Sequence, residues 1–121
     1  VHGPFTPAER HKDLFNSDTP APRPNRSGPQ ERHLEIARNQ MRCMVSIDEG
    51  VGKIREALER NGQLDDTVFI FTSDNGYFWG EHGFGDKRWA YDESIRIPLL
   101  VRYPKLVGRG VKSAALALNI D

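Results

Sequence analysis

Hydrophobic and polar positions alternate in different ways along the 121-residue chain, and the changes mark its predicted elements. Between Gln30 and Arg60, the residues Leu34, Ala37, Met41, Met44, Ile47, Val51, Ile54 and Leu58 recur at steps of three and four, which sets them along one face of a helix. Asn61-Gly62 tolerates the left-handed conformation that ends such a helix. Gly50 and Gly52 each weaken it by about 1 kcal/mol relative to alanine, and their small size suits the close approach of a neighbouring strand. The run "DDTVFIFTSD" then gathers β-branched and aromatic residues between polar boundaries, predicting a buried strand over 67–72. "IPLLVRY" predicts a second strand over 97–103, with Pro98 at its start, where a missing N–H does least harm. "ALALNI" (115–120) is a third apolar element, with helix and strand both open. A helix followed by strands predicts an α/β layered domain, the helix lying across the sheet.

Residues 1–30 read differently from residues 31–121. Pro4, Pro7, Pro20, Pro22, Pro24 and Pro29 punctuate them, so they predict an irregular extended segment. A short helical turn near "PAERHKDLF" and a disordered proline-rich linker are both open readings. Seventeen basic residues balance seventeen acidic ones, which removes any global field favouring nucleic acid or an anionic membrane. No apolar run approaches the roughly 20 residues of a membrane-spanning helix. Cys43 stands alone, so no intrachain disulfide is available. Met41 and Met44 beside it lack accompanying ligands at metal spacing, and the group reads as core or helix surface. No signal-peptide pattern opens the chain, which carries little weight because it starts abruptly on Val1 and not on Met, and it is expected to be a piece of something longer.

The stretch "SDNGYFWGEHGFGDK" (73–87) carries the candidate chemistry. Asp74-Asn75-Gly76 after a strand is an ordinary turn signal. It is also a carboxylate beside an amide carbonyl, at the strand end where α/β folds collect ligands, and such a pair suits a hard cation. His82, between Gly80 and Gly83, is either a hydrogen-bonded loop histidine or a reactive one. Lys87 fits a solvated loop as well as an anion contact. His2 carries almost no signal by itself. Phe78, Trp79, Phe84 and Trp89 could stack on a sugar or aryl ring, and such aromatics pack into cores at least as often.

Taken together, "TVFIFTSDNGYFWGEHGFGDKRWAYDESIRIPLLVRYP" resembles the sulfatase family of the alkaline phosphatase superfamily. The matching positions are Ser73 to Gly76, Gly80 to Gly83, Lys87, Tyr91-Asp92, Ser94, Arg96 and Pro98. "HGPFTPAERHKDLF" is similar to the family's His-x-Pro-Phe-x-Pro segment, "SIDEGVGKIREALERNGQLDDT" to the helix preceding its metal strand, and "NID" to the entry of its next segment. The resemblance implies part of an alkaline-phosphatase-like mixed or parallel sheet flanked by helices.

The resemblance also implies roles. Asp74 and Asn75 would be ligands of an active-site divalent cation, Ca²⁺ or, in its place, Mg²⁺. Lys87 would hold a sulfate oxygen, His2 would contact the ester near its leaving oxygen, and His82 would flank the pocket as a substrate-binding residue. The family's nucleophile is a formylglycine made from cysteine in Cys-x-Pro-x-Arg. Cys43, in "RCMVS", lacks both the proline and the arginine, so that segment and the first pair of metal-binding aspartates are expected ahead of Val1. The implied function is therefore a central-to-C-terminal fragment of a sulfuric ester hydrolase, inactive alone. Its substrate would be a small-molecule or glycan sulfate ester, and the family implies a periplasmic, secreted or lysosomal setting. A phosphonate or phosphate ester hydrolase of the same superfamily is the alternative, although those relatives more often carry histidine at the place of Asn75. A noncatalytic binding protein on the same scaffold is a third reading.

Overall fold

The computed structural model describes residues 3–21, 23–26 and 30–119. His2 lies outside them. Helix α1 runs from Gln30 to Arg60, as the periodicity predicts. It ends where Gly62 turns into the left-handed region (φ 68°). There the Gly62 N–H donates to the Glu59 carbonyl (3.0 Å) and the Gln63 N–H to that of Leu58 (2.8 Å), which caps carbonyls the helix leaves unpaired. Nothing lies within 4 Å of where a Cβ would sit on Gly50 or Gly52, so the expected strand approach is not what these glycines serve.

Two strands, β1 (Phe69–Thr72) and β4 (Leu99–Arg102), form an antiparallel pair with Ile70 opposite Val101 and Phe71 opposite Leu100. Both are shorter than the predicted 67–72 and 97–103. Between them β2 (Phe78–Trp79) pairs antiparallel with β3 (Gly85–Asp86), and a one-turn helix α2 (Asp92–Ile95) follows. Helices and strands are combined as in an α/β fold, and every strand pair among the described residues is antiparallel. Residues 115–119 adopt neither helix nor strand, and Leu116 and Leu118 are exposed. An apolar run with no partner surface has nothing to set its period.

Helix α1 makes its main contacts with a 3₁₀ turn at Glu9–His11, with another at Leu64–Asp66 and with β2, rather than across the β1–β4 pair. The proline-punctuated arm is held to α1 by polar bonds. His11 is buried, with Nδ1 3.0 Å from Ser46 Oγ and Nε2 2.7 Å from Glu49 Oε1. The buried Arg42 donates to the Leu14 carbonyl (2.8 Å) and to Asn16 Oδ1 (2.7 Å), and pairs with Glu35 on its own helix. Of the two arm readings, the short helical turn is the one realised.

Among the described residues the buried apolar side chains are Ala37 and Phe78. Phe78 is met edge-on by Phe84 and Tyr91, at 5.8 and 6.1 Å between ring centres, and Phe84 stacks on Trp89 at 4.7 Å. This aromatic cluster belongs to the segment that follows β1. No helix among the described residues is long and apolar enough to cross a membrane.

Candidate active site

The segment after β1 turns sharply at Ser73-Asp74-Asn75-Gly76. Ser73 Oγ donates to the Asn75 carbonyl (2.9 Å), and the Asn75 N–H donates to Asp74 Oδ1 (3.0 Å). Asn75 Nδ2 donates to the Gly76 carbonyl (2.7 Å), which commits the nitrogen end of the amide and leaves Oδ1 as its free acceptor. Gly76 cannot be anything larger: a Cβ there would lie 2.1 Å from the Glu93 carbonyl oxygen. That closeness exists because α2 backs the turn. The Gly76 and Tyr77 N–H groups donate to the carbonyls of Ser94 (2.7 Å) and Glu93 (2.8 Å).

Asp74, Asn75 and Lys87 line one cavity of about 910 Å³, together with Tyr77, Trp79 and the α1 residues Gln40 and Met41. Burial opposes ionisation of Asp74. Its own backbone N–H, that of Asn75, the charge of Lys87 and the Ser73 hydroxyl outweigh it and hold the carboxyl below its ordinary value. Lys87 is half-buried, and its carbonyl accepts the hydroxyl of the buried Ser94 at 2.6 Å. The chain reaches it through Asp86, which sits in the left-handed region (φ 67°).

Of the four aromatics singled out in the sequence, Trp79 alone lines this cavity. Its indole N–H donates to Gln40 Oε1 (2.7 Å), its backbone N–H is taken by a Glu81 carboxylate oxygen, and the Arg23 guanidinium lies over its ring at 4.4 Å. Arg23 also donates to the Tyr77 carbonyl (2.7 Å). Its Nε lies 2.6 Å from the fully buried Glu81, an ion pair rather than an aligned hydrogen bond. An arm residue thereby closes over the loop from the far side.

His82 is placed elsewhere. Its backbone, at φ 54°, donates to the Asn25 carbonyl (2.7 Å), and its ring packs on Tyr91 with Nε2 3.5 Å from Glu93. It lines a neighbouring cavity with Tyr91, Glu93 and Arg96 and does not line the one holding Asp74. Cys43 is half-buried in α1 and lines neither. The roles of Ser94, Arg23 and Glu81 were not visible in the sequence. Ser94 and Glu81 fall inside the matched motifs, but nothing in the motifs says what they touch.

The donor set decides whether a divalent cation fits. A carboxylate and an amide oxygen on adjacent residues are hard donors, and the tied amide nitrogen points the choice to oxygen. They fit as two ligands of such an ion. No group of three or more His, Cys, Asp or Glu is placed to hold a metal among the described residues, so a full ligand set needs further oxygens.

A family pattern described as Sulfatase matches residues 1–120. An N-acetylglucosamine-6-O-sulfatase of Bacteroides thetaiotaomicron is 40% identical over 90 residues, covering 74% of this chain and 16% of that protein. The human N-acetylglucosamine-6-sulfatase is 39% identical over 89 residues, covering 69% of this chain and 15% of that protein. A solved structure of a protein bound to its substrate, D-glucosamine-2-N,6-O-disulfate, superposes with a TM-score of 0.69 at 40% identity, covering 74% of this chain and 18% of that one. The chain belongs to the sulfatase family. It spans well under a quarter of the length of these relatives, and the family implies a metal ion and a formylglycine in the whole enzyme.

Proposed function

We propose that this chain is a partial catalytic domain, residues 1–121, of a longer sulfatase that hydrolyses a sulfate ester carried on a sugar. The observation that carries the reading is the shared cavity: two adjacent oxygen donors and a lysine line it together, and the lysine's charge acts on Asp74. The relatives favour a sugar, being named for N-acetylglucosamine sulfates. Trp79 supports it too, since an indole fixed on the cavity wall by Gln40 and by Arg23 over one of its faces has its other face to offer a pyranose ring.

In this reading Asp74 and Asn75 hold a Ca²⁺ ion, with Mg²⁺ as the other hard cation they suit. When bound, that ion offsets negative charge on the nonbridging sulfate oxygens. The Lys87 ammonium does the same for one oxygen from the loop side, in a charge-assisted contact. His2 is assigned to the ester near its leaving oxygen, where an imidazolium can supply the proton that an alkoxide needs. The formylglycine comes from outside these residues, since Cys43 has neither the sequence context nor a place in the cavity.

Lys87→Ala in the full-length enzyme tests this. A lost charge-assisted contact is worth roughly 1.5–3 kcal/mol, so kcat/KM for a sulfate ester should fall roughly 10- to 100-fold. Stability should change little, because Lys87 is only half-buried and a partly exposed charge contributes little to folding. Unchanged turnover would overturn the assignment.

A further inference from the structure

We propose that Ser94 is a positioning residue that sets where the Lys87 ammonium stands relative to the Asp74-Asn75 pair. The proposal rests on the reading of Lys87 as the sulfate contact and adds to it the device that fixes its place. Ser94 is 5% exposed and engages both halves of the site at once. Its carbonyl accepts the N–H of Gly76, next to Asn75, at 2.7 Å. Its hydroxyl donates to the carbonyl of Lys87 at 2.6 Å.

These two bonds tie the Gly76 turn and Lys87 to one α2 residue, alongside the short hairpin that also links them. Asn75 and Lys87 are separated by the β2–β3 hairpin, whose ladder is two residue pairs long. The chain leaves that ladder through Asp86, itself left-handed, and has no regular structure from there until α2. A lysine side chain has four rotatable bonds, so it addresses a fixed point only if its own backbone is fixed. The Ser94 hydroxyl supplies that anchor. An error of about 1 Å in such a group can cost on the order of 100-fold in rate.

The geometry also makes the device separable. Ser94→Ala removes the hydroxyl and keeps the backbone bond to Gly76, so the cation-ligand turn stays supported while the lysine loses its anchor. Ser94→Thr keeps the donor and adds one methyl group.

The experiment is a double-mutant cycle in the full-length enzyme with Ser94→Ala, Lys87→Ala and the pair. It is read as kcat/KM on a sulfate ester and as the inhibition constant of inorganic sulfate, with thermal unfolding midpoints taken alongside. Ser94→Ala should lower kcat/KM about 10-fold and weaken inorganic sulfate by a similar factor. In the Lys87→Ala background the same change should cost less than about 2-fold, and Ser94→Thr should recover most of the single-mutant loss. Equal losses in both backgrounds would overturn the proposal, because Ser94 would then act on the fold and not through Lys87. A silent Ser94→Ala beside a damaging Lys87→Ala would overturn it as well. If Lys87→Ala itself is silent, the underlying reading falls and takes this proposal with it. Should Ser94→Ala fail to fold, Ser94→Thr and Ser94→Cys carry the cycle, with loss tracking donor strength as the expected result and loss independent of it as the overturning one.

Discussion

Between Ser73 and Arg96 the chain is fixed by polar contacts made with particular atoms around a buried phenylalanine, whereas the β1–β4 pair on either side of it leaves its aliphatic side chains open. Glu81 and Ser94 are buried in the first region, each with named partners. In the second, Ile70 is 65% exposed and Leu100 64%, and Leu99 and Val101 are exposed beside them. Two antiparallel strands cannot cover their own faces. The difference separates two kinds of self-sufficiency: the loop's buried polar groups find partners among the described residues, while the strand faces find little apolar cover among them. The chain can therefore hold a recognisable site wall without holding a complete core.

The largest effect that would break this contrast is expected at Gly76. Gly76→Ala forces a methyl group against the Glu93 carbonyl, a backbone atom that cannot swing away. We expect a loss of about 3 kcal/mol or more in chemical denaturation of the full-length enzyme, with turnover abolished. A loss under about 1 kcal/mol would mean that α2 does not back the turn. Next comes Ile70→Ala, also in the full-length enzyme. If sulfatase strands and helices cover the β1–β4 faces, it should cost about 2–4 kcal/mol. An effect within about 0.5 kcal/mol would show the face to be bare.

The smallest effect sharpens the comparison from the arm. Hydrogen bonds from Arg10 and His11 hold the Glu49 carboxyl at about 2, down from 4.5. A carboxyl whose folded value is depressed stabilises the fold fully above its unfolded value and loses that contribution as pH falls through the folded one. The docking of the arm should thus weaken as pH drops from about 4.5 towards 2, and Glu49→Gln should flatten that part of the acid-unfolding curve. An unaltered acid limb would remove Glu49 as the titrating tie.

The sequence made α1 legible because a three-and-four period over thirty residues admits one geometry, and Asn61-Gly62 marked its end. The strands were legible from β-branched composition, with boundaries a residue or two wide. "ALALNI" was not, because composition without a packing partner specifies no period. Gly50 and Gly52 were misread for a related reason: small size shows that a close approach is allowed, never that one occurs. In the site, Asp74, Asn75 and Lys87 could be named from their ordered motif, and the structure has them line one cavity. Ser94 and Arg23 could not be assigned, since what matters is which distant backbone oxygen each meets. Arg23 finds its carbonyl on Tyr77, 54 positions along the chain, and no local pattern encodes that.

That long reach sets an order of events during synthesis. The arm leaves the ribosome before the helix and the loop that it contacts, rich in proline and charge. His11 and Arg42 can settle only once α1 has formed, because Ser46, Glu49 and Arg42 itself lie on that helix. Arg23 must wait longer still, until Tyr77 and Glu81 have emerged. Contacts of such sequence separation form late, because the loop they close must first be paid for in entropy. Through that interval the arm's bonds to the helix and the loop are unmade, and Arg23 takes its place over Trp79 only once the Tyr77–Glu81 stretch exists.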